Sequence, residues 1–357
     1  MDEENPSLQA ASTPRKALEA WRRRLGPGLP GALDLTQTDD GLINQTFFAG
    51  DPPSHVLQRV NPIFDRLIQT DIDTVTTHLT GLGWVTPRLV PTDDGQLDAP
   101  GVDGFWRLLT FIPGVTHHRL LDARMAAAVG GLVGRFHAAL AEADLEMVAP
   151  PRRVHRTEVR LRDMEAALED CDGHPLAGPA RALGDEILEA WSRWHGDLDG
   201  PERLCHGDLK VSNIRFSADG AALCLLDLDT LGPQELSAEM GDAWRSWCNP
   251  AGEGDPESSR LDLELFEASA LAWLRAAPPL EPAERENLVP GIERIALELA
   301  ARFCADAVQN SYFQEDRRRF PRPGAHNLHK ARSQVAFAAS ARAQRSACER
   351  GLRGVKR

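Results

Sequence analysis

Residues 204–231 narrow the possible folds more sharply than any other part of this chain. They read Leu204-Cys205-His206-Gly207-Asp208-Leu209-Lys210-Val211-Ser212-Asn213-Ile214-Arg215-Phe216, then the turn Ser217-Ala218-Asp219-Gly220. An apolar run over 221–226 follows, ending in Asp227-Leu228-Asp229-Thr230. Short β-type runs separated by turn residues predict a hairpin. This hairpin carries an acid, an amide five residues later, and a carboxylate pair where its second strand ends. It is also a compact β island inside helical sequence.

The surroundings divide in two. Before residue 112 the β-rich runs 33–38, 43–48 and 55–60 are punctuated by Asp39-Asp40-Gly41 and Gly50-Asp51-Pro52-Pro53, which predicts an antiparallel meander. A helix is expected over 71–79 and further strands over 84–90 and 105–111. A short amphipathic helix over 17–25 precedes them. The formal G-x-G-x-x-G match from Gly26 to Gly31 follows a helix rather than a strand, and Pro27 and Pro30 delete two backbone donors, so it is no dinucleotide site. After residue 113, Val129, Leu132, Val133, Phe136 and Leu140 repeat with helical period. Further helices are expected over 158–169, 180–195, 261–274, 282–310 and 328–345, with a surface loop over 251–259. The fold class is therefore α+β, a small β-rich lobe followed by a larger, mainly helical one. A length of 357 residues suits about two such units.

Composition removes several functions. With 40 basic and 53 acidic side chains the net charge is −13, which opposes general binding to nucleic acid phosphates. No apolar run approaches the ~18–20 residues of a membrane span, and Met1-Asp2-Glu3-Glu4 is acidic where a secretory signal is basic. Six scattered cysteines show neither paired nor zinc-type spacing, as expected of reduced thiols in a cytoplasm. What the hairpin offers is the set of groups that phosphoryl transfer from a nucleotide needs. Charge on the transferring group must be neutralised by metal ions, and the acceptor hydroxyl needs a carboxylate to take its proton. Mg²⁺ takes oxygen ligands, and Asp227 and the side-chain oxygen of Asn213 suit it. Asp208 is then free to orient and deprotonate the acceptor, and Lys210 can reach the transferred phosphate. Cys205-His206 is not a thiol–base pair, because consecutive strand residues face opposite ways; His206 is expected to hold the loop. His117-His118 lacks metal-ligand spacing and is expected in a surface loop.

His206-Gly207-Asp208-x4-Asn213 followed by Leu226-Asp227-Leu228-Asp229 resembles the aminoglycoside phosphotransferase/choline kinase superfamily, relatives of the protein kinases. Gly41-Leu42-Ile43-Asn44-Gln45-Thr46-Phe47, Leu57-Gln58-Arg59-Val60-Asn61, Gly241-Asp242-Ala243-Trp244-Arg245 and Asn327-Leu328-x2-Ala331-Arg332-x-Gln334 look like its N-acetylhexosamine 1-kinase branch. The likeness runs from residue 35 to residue 340. It implies a two-lobed protein-kinase-like fold: a tail and helix over 1–30, a nucleotide-covering lobe over 31–112, and a lobe over 113–357 with the catalytic loop, metal site and sugar pocket. It also implies ATP, Mg²⁺ and transfer of the γ-phosphate to a sugar hydroxyl, at the anomeric position for that branch. Asp208 matches the catalytic base, Asn213 and Asp227 the metal ligands, and Asp229 a carboxylate for a second Mg²⁺. The hairpin 40–48, with Asn44 and Thr46, matches the phosphate-covering loop, and Phe111 and Ile112 sit where backbone groups meet adenine. Arg302, Asp306 and Tyr312 fall near the sugar pocket, although Arg302 and Asp306, four apart on one helix face, equally suit an intrahelical ion pair.

The third strand departs from the kinase pattern. Kinases hold the α/β-phosphates with a lysine there; this chain has Gln58, with Arg59 next to it and facing the other way unless the register shifts. Asp242 and Arg245 suit either a brace for the catalytic loop or an i, i+3 ion pair. The expected protein is a cytoplasmic sugar kinase, monomer or homodimer, with neither nucleic acid nor membrane as partner. An aminoglycoside or amino-alcohol kinase is the alternative inside the superfamily. Outside it stand a non-catalytic nucleotide-binding module, prompted by the missing lysine, and a metal-dependent hydrolase.

Overall fold

The computed structural model describes residues 13–26, 33–38, 43–151 and 153–353. The glycine-rich match beyond Gly26 and the turn 39–42 of the expected phosphate-covering hairpin lie outside these residues. The chain divides into two compact units. The first comprises the described residues of Met1–Gly114 with Asp144–Pro150, the second Val115–Ala143 with Pro151–Arg357.

In the first unit the runs between turn residues become an antiparallel sheet. Strands β1 (Leu35–Thr38), β2 (Gln45–Ala49) and β3 (His55–Val60) form the expected meander, β5 (Phe105–Thr110) pairs with β3, and the short β4 (Ala99–Pro100) takes the edge. Successive side chains alternate between faces. Phe47, Leu57, Trp106 and Leu108 share one face, which packs on Leu18 and Trp21 of an N-terminal helical stretch, α1 (Pro14–Leu18) and α2 (Arg22–Leu25) joined by a 3₁₀ turn. Each such large apolar side chain, fully buried, contributes about 1.5–3 kcal/mol. Trp21 also donates from Nε1 to the Val90 carbonyl at 2.6 Å. The other face carries Thr46, Gln58 and Arg107, cross-strand partners in register. Helix α3 (Ile68–Gly81) buries Ile68, Ile72, Val75 and Leu79, one stripe at helical spacing. Its buried Asp71 accepts from the Val148 and Ala149 amides at 2.8 and 3.1 Å, which ties the returning segment to this unit.

The strand expected over 84–90 does not form as such. Trp84 spends its amide on the Leu79 carbonyl, ending α3, and Pro87 has no donor. Only 88–90 pair with β5, through the Leu89–Leu109 bridge and the bonds Val90 N–H to Leu108 and Thr110 N–H to Arg88.

The second unit is helical around small sheets. Helix α4 (Ala123–Ala141), α5 (Thr157–Glu169), α6 (Ala177–Ser192), α7 (Leu236–Trp247), α8 (Leu263–Ala276), α9 (Pro282–Gln309) and α10 (Ala325–Arg353) cover most of the expected periodic segments. The exception is α7, which lies outside the expected segments although Leu236, Met240, Ala243, Trp244 and Trp247 repeat with helical period; it is buried on nearly every side. It crosses α9 where Gly241 meets Gly291. A Cβ on either glycine would collide with the facing backbone, so only glycine allows the helices to approach this closely. Strand β7 (Glu202–Cys205) pairs with β10 (Gly232–Glu235), while β6 (Val115–Thr116), β8 (Ile214–Phe216) and β9 (Ala222–Leu225) form a three-stranded sheet. All six cysteines are buried free thiols. Among the described residues no helix is long and apolar enough to cross a membrane.

Candidate active site

Residues 206–213 form the loop between β7 and β8, and four sets of bonds fix its shape. Gly207 adopts φ +83°, a left-handed conformation, and a Cβ there would lie 2.5 Å from the Thr230 carbonyl, so glycine is required twice over. His206, fully buried, donates from Nε2 to the Leu226 carbonyl at 2.9 Å and accepts at Nδ1 from the Asp208 amide at 3.3 Å. Burial depresses its pKa below the ordinary histidine value, despite the opposing pull of Glu239 and Asp208. It is a brace, as its sequence context suggests, and it joins the two ends of the hairpin. The Leu226 amide donates to the Asn213 carbonyl at 2.7 Å, and Thr230 Oγ1 to the His206 carbonyl at 2.8 Å.

Helix α7 supplies the fourth set, and these residues escape a reading of the sequence. Glu239 accepts the His206 amide at Oε1 and the Gly207 amide at Oε2, both at 2.9 Å. It also accepts from His137 Nε2 at 3.3 Å, and the other nitrogen of that ring accepts from Trp273. Burial raises the Glu239 pKa and these donors outweigh it, so the carboxylate lies below its ordinary range. Ser246 Oγ accepts the Val211 amide at 3.2 Å, and Trp247 Nε1 donates to the Leu209 carbonyl at 2.6 Å. Positions 239, 246 and 247 are spaced i, i+7, i+8, one face of one helix. That spacing is a usable signal once α7 is known. The apparent metal-binding trio His137, Cys205 and Glu239 is accounted for by these bonds. Cys205 packs as a thiol whose pKa burial pushes well up, its Sγ on the Gln234 carbonyl, which is no nucleophile.

The loop so held brings the acid, the amine and the amide together. Asp208 Oδ2 accepts from Lys210 Nζ at 2.6 Å and from Asn213 Nδ2 at 3.0 Å; the same Nδ2 also bonds the Asp208 carbonyl at 2.9 Å. No bond among the described residues falls on Oδ1, and the Asp208 side chain remains 30% exposed, enough for a solute to reach it. Burial works against the Lys210 ammonium, but the carboxylates of Asp208, Asp227 and Asp242 outweigh it and hold its pKa above the ordinary value. Asp242 is itself half of a buried i, i+3 ion pair, accepting from Arg245 Nη2 at 2.8 Å, the second of the two arrangements expected for these residues. Asp227 is exposed and adopts φ +59°, outside the ordinary range for a residue with a side chain. Asp229 is buried, 2% exposed.

The residues fit a divalent cation. Asn213 commits its amide nitrogen to Asp208, so its side-chain oxygen is what it offers a metal, and the Leu226–Asn213 backbone bond brings the residue before the exposed Asp227 against Asn213. Two hard oxygen donors on adjoining turns suit Mg²⁺.

The remaining predicted residues fall elsewhere. Buried Asp306 accepts the amides of Ser311, Tyr312 and Phe313 at 2.8–2.9 Å and the Asn327 side chain at 2.9 Å. It anchors the turn after α9 and, among the described residues, makes no ion pair with Arg302. Arg302 instead stacks over the rings of Tyr312 and Phe313, 5.5 and 5.3 Å from their centroids, and Tyr312 is half exposed. His117 and His118 line an open cavity of about 500 Å³ with Thr116, Arg119 and residues 250–252. In the first unit Asn44 Oδ1 accepts from the Asn61 amide at 3.0 Å, and Thr46 Oγ1 from Gln58 Nε2 at 3.1 Å. Phe111 donates its amide to the Ser54 carbonyl at 3.0 Å, and Ile112 is half-buried. Arg59 lies on the sheet face opposite Thr46 and Gln58, so the register does not shift to bring it beside them.

The family model described as the phosphotransferase enzyme family matches residues 34–278. The chain belongs to this family. It is therefore a phosphotransferase, and the matched span contains the whole loop from His206 to Asp229. Solved structures repeat the fold at low identity. An aminoglycoside phosphotransferase from Alicyclobacillus acidocaldarius superposes with a TM-score of 0.56 at 16% identity, covering 96% of this chain and 99% of that one. A microcompartment-associated aminopropanol kinase gives 0.57 at 16%, covering 96% and 98%. The amicoumacin kinase hAmiN, in complex with AMP-PNP, Ca²⁺ and Ami, gives 0.55 at 14%, covering 86% and 88%. The phosphotransferase family thus has the β-rich first part and helical second part that this sequence predicts.

Proposed function

We propose that this phosphotransferase moves the γ-phosphate of ATP to a sugar hydroxyl, the anomeric hydroxyl of an N-acetylhexosamine or a related hexose. The observation that carries the chemistry is the Asp208 carboxylate, held at Oδ2 by Lys210 and Asn213 and open at Oδ1. Oδ1 accepts the hydroxyl hydrogen of the acceptor, orients its oxygen and takes the proton as the new P–O bond forms and the bond from the γ-phosphorus to the β-phosphate oxygen breaks, with ADP leaving. Lys210 steadies the carboxylate and faces the charge of the transferring group. Asn213 and Asp227 would hold Mg²⁺, with Asp229 as a further carboxylate; the ion would neutralise phosphate charge. Thr46 and the chain around it cover the phosphates, and the backbone at Phe111 and Ile112 meets adenine. The sugar assignment is supported by the motifs at residues 41–47, 57–61, 241–245 and 327–334. Arg302 stacked on exposed Tyr312, with Asp306 fixing that turn, supplies a ring face and a cation suited to a sugar and its polar substituent.

A cationic acceptor such as an amino alcohol or aminoglycoside is the second reading, favoured by the net charge of −13 and by the substrates in the names of the aminopropanol kinase and aminoglycoside phosphotransferase. Phosphorus NMR of the protein with ATP, Mg²⁺ and a panel of acceptors separates the two. An anomeric sugar phosphate from N-acetylhexosamines is expected. Products formed only from amino alcohols or aminoglycosides would reassign the acceptor, and no phosphorylated product from either class would overturn the proposal.

A further inference from the structure

We propose that a cavity beside the 206–213 loop binds an organic phosphate monoester, with Arg119 and His117 holding the phosphate. Two segments line it, Thr116, His117, His118, Arg119 and Leu121 in one and residues 250–252 in the other, around about 500 Å³. That volume is ordinary for a small-molecule site. All of these residues belong to the second unit. Both segments continue elements that shape the loop. Strand β6 pairs antiparallel with β8, Val115 opposite Phe216 and Thr116 opposite Arg215, so the chain leaving Thr116 runs toward the Asn213 end of β8. Thr116 Oγ1 accepts from Arg215 Nη1 at 3.0 Å across that pair. Residues 250–252 come just after α7, past the Ser246 and Trp247 that hold Val211 and Leu209.

Each segment is fastened to the unit. In the first, Leu120 is buried, and the His117 ring meets that of Phe216 edge to face with centroids 5.1 Å apart. In the second, buried Asn249 accepts the Ala251 amide at 3.3 Å and donates to the Gly252 carbonyl at 2.8 Å and to Ser259 Oγ at 3.0 Å. The groups left over select an anion. Arg119 is exposed and, among the described residues, makes no hydrogen bond or ion pair; the ring nitrogens of half-buried His117 make no hydrogen bond among them either. No described side chain that lines the cavity is acidic, although the chain carries a net charge of −13. A concave surface of one sign concentrates ions of the other. An unspent guanidinium takes two phosphate oxygens in its planar fork, and an imidazole N–H supplies a further donor. Leu121, 62% exposed, with Pro250 and Ala251 offers apolar surface to the organic body that the phosphate carries. A phosphotransferase with an alcohol acceptor releases esters of this class.

Calorimetric titration of the full chain with phenyl phosphate and with inorganic phosphate, with Mg²⁺ and AMP-PNP present, tests this. Wild-type protein is expected to bind phenyl phosphate, and to bind inorganic phosphate several-fold more weakly because it lacks the apolar contacts. Arg119→Met should weaken phenyl phosphate by about 10-fold or more, and His117→Gln by several-fold. Neither should change the affinity for AMP-PNP by more than about twofold, which a second titration reads directly. Lys210→Met serves as the control for binding at the 206–213 loop, and phenyl phosphate should bind it as it binds wild type. Wild-type protein that ignores phenyl phosphate, or binds inorganic phosphate equally well, would overturn the proposal. So would wild-type affinity in Arg119→Met, or a loss that falls equally on Lys210→Met. A parallel loss of AMP-PNP affinity in Arg119→Met would assign the cavity to nucleotide and overturn it as a separate site.

Discussion

At Asp227 the backbone itself reports on function. A φ of +59° is strained for most side chains and tolerated by Asp and Asn. The residue lies exposed just past β9, and the proposed metal role gives a reason to maintain the conformation. Asp227→Asn keeps the left-handed tolerance and removes the charge. We expect turnover to fall by about 100-fold or more and the Mg²⁺ requirement to rise, with thermal stability little changed; an unaltered Mg²⁺ saturation curve would contradict the assignment. His206 supplies a pH signature. Its folded pKa is depressed, so the unfolded chain takes up the proton first as pH falls through the ordinary value of 6.5. Its contribution to stability is present above that value and is lost below it, down to the folded pKa. His155 has the opposite sign: burial lowers its pKa, Glu298 more than restores it, and its contribution is lost as pH rises past its folded value. Urea unfolding across this range should therefore show a shallower acid decline in His206→Gln than in wild type, and parallel curves would rule out His206 as the group responsible. That Asp208, Lys210 and Asn213 come together was legible because they lie within five residues of one another. The Arg107–Gln58 pair was not, because its bond spans 49 residues and depends on strand register.

Among the elements, α7 carries a helical signal that the expected segments leave out. Leu236, Met240, Ala243, Trp244 and Trp247 repeat with helical period, but the segment is short and its polar positions are buried as well. Its polar residues are there for the loop they hold, 33 residues upstream in the case of Glu239 and His206. Strand 84–90 erred in the other direction: β-type residues were present, but Pro87 and the end of α3 took the backbone donors that a strand needs. The surface-period helices α3, α4 and α5 and the β1–β3 meander were legible because each has a single buried face. Glu239→Gln tests the brace. A carboxamide accepts one of the two amides and turns its NH₂ toward the other, so we expect a loss of about 1–3 kcal/mol in urea unfolding and a fall in kcat larger than any rise in the KM for ATP. Wild-type stability in this variant would show that the loop is held by other means.

On the scale of the whole molecule, the chain departs from a simple division in order. Residues 144–150 return to the first unit, pinned by Asp71 to α3, although the helices on either side belong to the second. Each unit keeps its own core. The first has Trp21 and Trp106 packed between sheet and N-terminal helices, and the second has α9 buried among its helical neighbours. Six thiols without a disulfide and a net charge of −13 place no demand on either core. The proposed chemistry falls to one loop of the second unit, and the most direct measurement is single-turnover phosphate transfer by Asp208→Ala alongside its MgATP affinity in the same preparation. Transfer slower by about 10³-fold or more, with MgATP bound within a few-fold of wild type, is the predicted result. Transfer at the wild-type rate would contradict it and remove Asp208 from the reaction.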